Sequence, residues 1–134
     1  LPIYLEIDLD GVRIGADLKT ISMWNVKQES LRARLHREII ERDYHLSAAM
    51  YCETAALDQF FWIFVNKDEN YHWIAIIEAS AELLELGMLE YRKAMRNIAT
   101  GFDTGEWPAP ITADYTDELN DFGLRRLEAL RTQA

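Results

Sequence analysis

Asp17, Leu18 and Lys19 are the residues whose types and spacing could do chemistry in this chain. In an extended strand, residues two apart share a face, so the Asp17 carboxylate and the Lys19 ammonium stand side by side. The carboxylate can hold a hard divalent cation while the lysine holds or polarises a water. Metal-assisted phosphodiester hydrolysis can use both functions. The tripeptide alone has little specificity, because an acid, any residue and a lysine recur by chance. The same two side chains also make an ordinary surface ion pair worth less than about 1 kcal/mol. Its meaning depends on what the neighbouring elements bring to it.

Those elements begin with a hairpin. Ile3, Leu5, Ile7 and Leu9 alternate with Tyr4, Glu6 and Asp8, the pattern of a half-buried strand. Asp10-Gly11 is a strong two-residue turn signal, and Val12 to Ile21 reads as the returning strand. Val12, Ile14, Ala16 and Leu18 then join the apolar face. Tyr4, Glu6, Asp8, Arg13, Asp17 and Lys19 share the other, so three carboxylates and a lysine are expected on one side of two paired strands. Both Glu6 and Asp8 also suit plain solvent-facing positions of an edge strand.

Downstream, Leu31, Leu35 and Ile39 at spacings of four predict a helix from about Asn25 to Glu41. Asp43 is a candidate cap for a second helix from Tyr44 to about Leu57. Phe60 to Val65 reads as a strand, Asp68-Glu69-Asn70 as a turn, and Tyr71 to Ile77 as a returning strand. Ser80 is placed to cap a long periodic helix through Leu84, Met88, Tyr91, Met95 and Ile98, with Gly101 as its C-cap. Trp107-Pro108-Ala109-Pro110 breaks the chain, and Leu119, Leu124, Leu127 and Leu130 predict a last helix. The order ββααββαα describes a mixed α/β domain with helices packed on a sheet.

A chain of 134 residues, 49% hydrophobic and 28% charged, fits one domain with a substantial core. No apolar run approaches a membrane span, and no signal-peptide pattern opens the chain. The single Cys52 excludes an internal disulfide framework and a cysteine-ligated cluster. It reads as a small buried hydrophobe in a reducing, intracellular setting. His36, His45 and His72 show no metal-ligand spacing with one another. A net charge of −9 is no basic footprint for nucleic acid, although carboxylate-rich metal sites invert the local charge. Lys27, Arg32, Arg34, Arg37 and Arg42 form a local basic run, interrupted by Glu29, Glu38 and Glu41 as on a solvated helix face.

Ala16-Asp17-Leu18-Lys19-Thr20, a helix, and then Tyr44-His45-Leu46-Ser47-Ala48-Ala49-Met50-Tyr51 together resemble the catalytic core of RecE-type exonucleases (exonuclease VIII). These belong to the PD-(D/E)xK nuclease superfamily of phage and prophage recombination. The likeness continues through Phe61-Trp62-Ile63-Phe64-Val65 and Glu90-Tyr91 to Gly105-Glu106-Trp107-Pro108-Ala109, covering about residues 3 to 110. A C-terminal helical tail, 112–134, is unmatched.

The resemblance implies a restriction-endonuclease-like α/β core, with a mixed central sheet flanked by helices. It implies Mg²⁺- or Mn²⁺-dependent hydrolysis of linear duplex DNA. It also implies assembly as a homo-oligomer beside a single-strand-annealing protein, in the cytoplasm of a bacterial or phage-infected cell. Asp17 and the Leu18 backbone carbonyl would be metal ligands, and Lys19 would position the attacking water. Asp8, or alternatively Glu6, would be the upstream acid, and Tyr51 would lie near the substrate. Ser47 stands where the family pattern has glutamine. The chain starts at Leu1, just before the hairpin, so a C-terminal piece of a longer nuclease is expected, without the family's N-terminal helical part. The same fold used without catalysis, for DNA binding or assembly, is the other expectation.

Overall fold

A computed structural model of the chain describes residues 4–23, 27–110 and 113–133. The expected strand start at Ile3 and helix start at Asn25 lie outside these residues. Two strands open the chain, β1 (Tyr4–Leu9) and β2 (Val12–Ile21), paired antiparallel. Their loop is Asp10-Gly11, with φ of 52° and 82°. Two successive positive values are what a tight primed hairpin turn demands, and Gly11 meets the second without strain.

A 3-10 turn (Gln28–Ser30) leads into α1 (Leu31–Glu41), followed by α2 (Tyr44–Ala55). Asp43 does precede α2, but in a left-handed conformation and without a side-chain capping bond. The crossover through α1 and α2 returns the chain to β3 (Gln59–Asn66), parallel to β2, and β4 (Ile74–Glu78) pairs antiparallel with β3. The sheet is therefore mixed, in the order β1-β2-β3-β4. Its fourth strand is shorter than the sequence pattern implied.

Helix α3 (Ala81–Thr104) starts at Ser80, whose hydroxyl oxygen accepts the Leu83 N–H at 3.1 Å. Gly101 does not end it. The helix runs one turn further to Gly105, at φ 73°, while Gly101 lies under the Trp107 ring. Asn120 caps α4 (Asp121–Gln133) by accepting the Gly123 N–H. Residues 1–100 and 101–134 form two compact units.

The core of the first unit lies on one face of the sheet. Phe60, Trp62 and Phe64 on β3 are buried with Ile21 and Met23, with Leu35 and Ile39 of α1, and with Ala48 of α2. Alternation along β2 and its register with β3 put Asp17 beside Trp62 and Lys19 beside Phe64 on this covered face. The expectation that Val12, Ile14, Ala16 and Leu18 face the core is thereby reversed, although Ala16 is itself buried. Their side of the sheet is the more open one, where Leu18 is 45% exposed and Ile76 69%.

Candidate active site at the end of the second strand

Asp17 is 3% exposed, and its Oδ2 lies 2.9 Å from the Lys19 ammonium. Its Oδ1 is buried and has no hydrogen-bond partner among the described residues. A carboxylate oxygen withdrawn from water is costly to leave without a donor or a cation. Lys19 is also held over the Tyr44 ring, its nitrogen 4.4 Å from the ring centroid. The ammonium is thus fixed between a carboxylate and an aromatic face, both attractive to a cation.

Helix α2 positions this pair. Tyr44, Ala48 and Tyr51 recur at spacings of four and three, one face of a helix. Tyr44 packs on Phe64, Tyr51 stacks on Phe60 with ring centroids 6.2 Å apart, and Ala48 between them is fully buried. The helix therefore lies along β3 with its smallest side chain near the middle. Tyr51 takes a core position, packed on Phe60 at the Gly15 end of the register, whereas Tyr44 is the tyrosine that meets Lys19. Ser47 is half-buried, and its N–H donates to the Asp43 carbonyl.

The hairpin register corrects the choice of upstream acid. Asp8 is opposite Arg13, whereas Asp17 is opposite Tyr4. Four strand steps at about 3.4 Å separate Asp8 from the position facing Asp17, roughly 13 Å. That is too far for carboxylates serving ions about 4 Å apart. Asp8 is instead exposed and accepts the Gly11 N–H at 3.1 Å, bracing the turn. Glu6, opposite Gly15, is the diagonal neighbour of Asp17 by backbone register, at a separation of about 7–8 Å; its side chain lies outside those described.

A second cluster escaped the sequence analysis. His45 is 1% exposed, and its Nε2 is 3.0 Å from Glu90 Oε2, tying the start of α2 to α3. Asp43 completes a group whose ligand atoms lie within 4.8 Å of one another, a spacing that would admit a divalent ion. The histidine–glutamate bond already accounts for one buried ring nitrogen, while Nδ1 has no partner among the described residues. The glutamate is 45 residues from the histidine, so only the docking of α3 on α2 brings them together.

Clefts lined by described residues border the sheet. An apolar one, about 570 Å³, is lined by Leu31, Leu35, Ile39, Ala75, Ile77 and Leu83 among others, and excludes both Asp17 and Lys19. A polar one, which also excludes both, is walled by Thr20, the residue after Lys19, and by Tyr44, on whose ring Lys19 rests. Among the described residues, no helix is long and apolar enough to cross a membrane. No protein-family model matches the chain, and no curated protein matches it.

Proposed function

We propose that the chain is the core of a metal-dependent nuclease of the PD-(D/E)xK type, acting on linear duplex DNA in phage-type recombination. The observation that carries the reading is the buried Asp17 carboxylate, with one oxygen on Lys19 and the other without a partner. The donor set fits a hard cation, since an ionised carboxylate oxygen and the Leu18 carbonyl are the oxygen ligands that Mg²⁺ or Mn²⁺ takes. Glu6 replaces Asp8 as the upstream acid of this proposal. A bound cation would supply Lewis-acid polarisation of the phosphoryl oxygen and a lowered pKa for a coordinated water.

The chain's own residues have separable roles in this scheme. Asp17 would hold the cation through Oδ1, the oxygen not engaged by Lys19. Lys19, charged and oriented by Asp17 and the Tyr44 ring, positions the attacking water and offsets negative charge that develops on the phosphoryl oxygens. Burial of the carboxylate excludes competing water from one side of the site. The proposal extends to a homo-oligomer in the cytoplasm, working beside a single-strand-annealing protein.

A second reading is a non-catalytic domain of the same fold, serving DNA binding or assembly. It is favoured by the core packing of Tyr51 and the diversion of Asp8 to the turn. These leave Asp17 and Lys19 as the expected catalytic side chains brought together among the described residues. Titrating Mg²⁺ or Mn²⁺ with linear duplex DNA, alongside Asp17→Ala and Lys19→Ala, separates the two. Metal-dependent degradation lost in both variants supports the nuclease. Absence of any metal-dependent cleavage by the full chain favours the second reading.

A further inference from the structure

The polar cleft is walled by three parts of the first unit. Thr20, Ile21 and Ser22 come from the end of β2, Arg34, Glu38 and Arg42 from α1 and its cap, and Tyr44 and Lys67 from the exits beside them. Arg34, Glu38 and Arg42 are four apart, so they line one side of a single helix. The cleft measures about 380 Å³. Three cations thus face it with one carboxylate, in a chain whose net charge is −9. That carboxylate, Glu38, is already engaged by the Arg42 Nε. Arg34 and Lys67 are exposed and form no ion pair among the described residues. The Ser22 hydroxyl donates to the Asp68 carboxylate at 2.7 Å.

Uncompensated cations gathered in a concave, polar site raise the local concentration of anions. Arginine presents a planar fork that matches phosphate oxygens two at a time, and lysine adds a mobile point charge. Position supplies the rest of the argument. Tyr44 is a wall of the cleft and also the ring on which Lys19 rests, and Thr20 follows Lys19 directly. Asp17 and Lys19 do not themselves line the cleft, and Tyr44 is the wall that joins it to Lys19.

We infer that this cleft binds a backbone phosphate of a nucleic-acid strand and fixes that strand against Lys19. The identity of the polymer rests on the nuclease reading; the anion site itself rests on Arg34 and Lys67, the two cations of the cleft that form no ion pair among the described residues. The local basic run in the sequence is accordingly divided: Arg34 and Arg42 serve the cleft with the distant Lys67, while Arg37 of the same helix is exposed outside it.

The test is oligonucleotide binding by fluorescence anisotropy, on the full chain with EDTA present so that cleavage cannot intervene. The double variant Arg34→Gln/Lys67→Gln is expected to lose about tenfold or more in affinity, and its salt slope should fall by about one to two. Arg37→Gln, which removes a single charge outside the cleft, should alter affinity by less than about twofold. The inference is overturned if wild type does not bind, if the double variant binds like wild type, or if Arg37→Gln weakens binding equally. Inorganic phosphate and a mononucleotide are run as competitors. If either binds as tightly as the oligonucleotide, the cleft is a free-phosphate site and the strand assignment fails. Reading binding and cleavage separately keeps the two proposals apart. Wild-type binding that the double variant weakens upholds the cleft even if the wild type does not cut DNA. Cleavage in Mg²⁺ by a chain whose binding ignores the double variant upholds the nuclease alone.

Discussion

At the scale of the residue, the Asp17–Lys19 pair is charged, largely buried and incompletely satisfied. Removing one member of a buried ion pair leaves an uncompensated charge, which costs about 3 kcal/mol or more, whereas neutralising both is often nearly neutral. Lys19→Met should therefore destabilise the chain by about 3 kcal/mol, while Asp17→Asn/Lys19→Met should recover most of that loss. Urea denaturation of the wild type, both single variants and the double variant measures the cycle; additive losses would show that the pair is not coupled. Cys52 gives a pH-dependent check on its surroundings, because burial pushes its thiol above the ordinary value. The thiolate is the reactive form, so alkylation at pH 8 should be slower than for an unfolded cysteine. Stability linked to this thiol is fully present below the unfolded value, about 8.5, and declines as pH rises through the folded one. Alkylation rates that follow the free-thiol titration curve would contradict this.

At the scale of the element, the architecture depends on a close approach of α2 and α3. A Cβ at Gly87 would overlap the backbone carbonyl of His45 and crowd the Ala49 methyl. Backbone cannot give way as a side-chain tip does, so Gly87→Ala should cost about 1–3 kcal/mol despite alanine's better helix propensity. Thermal unfolding measures this, and an unchanged or raised midpoint would show that the two helices are not held at this distance. The hairpin, the crossover helices and the capping at Ser80 were legible because each has a local cause: a turn dipeptide, a period of four, a hydroxyl at the helix start. The buried face of β2 was not. Its strand alternates apolar Val12, Ile14 and Leu18 with Arg13, Asp17 and Lys19, which by hydrophobicity alone selects the wrong side. The parallel partner β3 decides it, with Phe60, Trp62 and Phe64 turned toward α1 and α2. On β3 itself, apolar residues on both faces hide the alternation. The Asp17–Lys19 adjacency followed from strand geometry and was readable. The separation of Asp8 was also implicit, since a two-residue loop sets Leu9 opposite Val12 and counting back sets Tyr4 opposite Asp17. The His45–Glu90 bond had no local signal at all.

At the scale of the whole molecule, the charge balance decides how any metal effect must be read. A chain of net charge −9 repels itself, so every added cation stabilises the compact state to some degree by screening. A rise in melting temperature with Mg²⁺ is therefore no proof of a site. The Asp17 oxygen without a partner makes a sharper prediction. At matched ionic strength, Mg²⁺ should raise the wild-type midpoint beyond the effect of NaCl, because a ligand bound only by the folded state adds stability with the logarithm of its concentration. At a hundred times its dissociation constant this amounts to about 2.7 kcal/mol. For a chain of this size that is a shift of roughly 8 °C. Asp17→Asn removes the charge but keeps the shape, and should reduce the Mg²⁺ response to that of NaCl. Arg34→Gln/Lys67→Gln lies in the neighbouring cleft and should leave the excess intact. An excess that survives Asp17→Asn would assign the cation to another carboxylate group, with the Asp43–His45–Glu90 cluster the alternative the geometry offers. His45→Ala then identifies it, because that substitution abolishes an excess arising there and leaves one centred on Asp17.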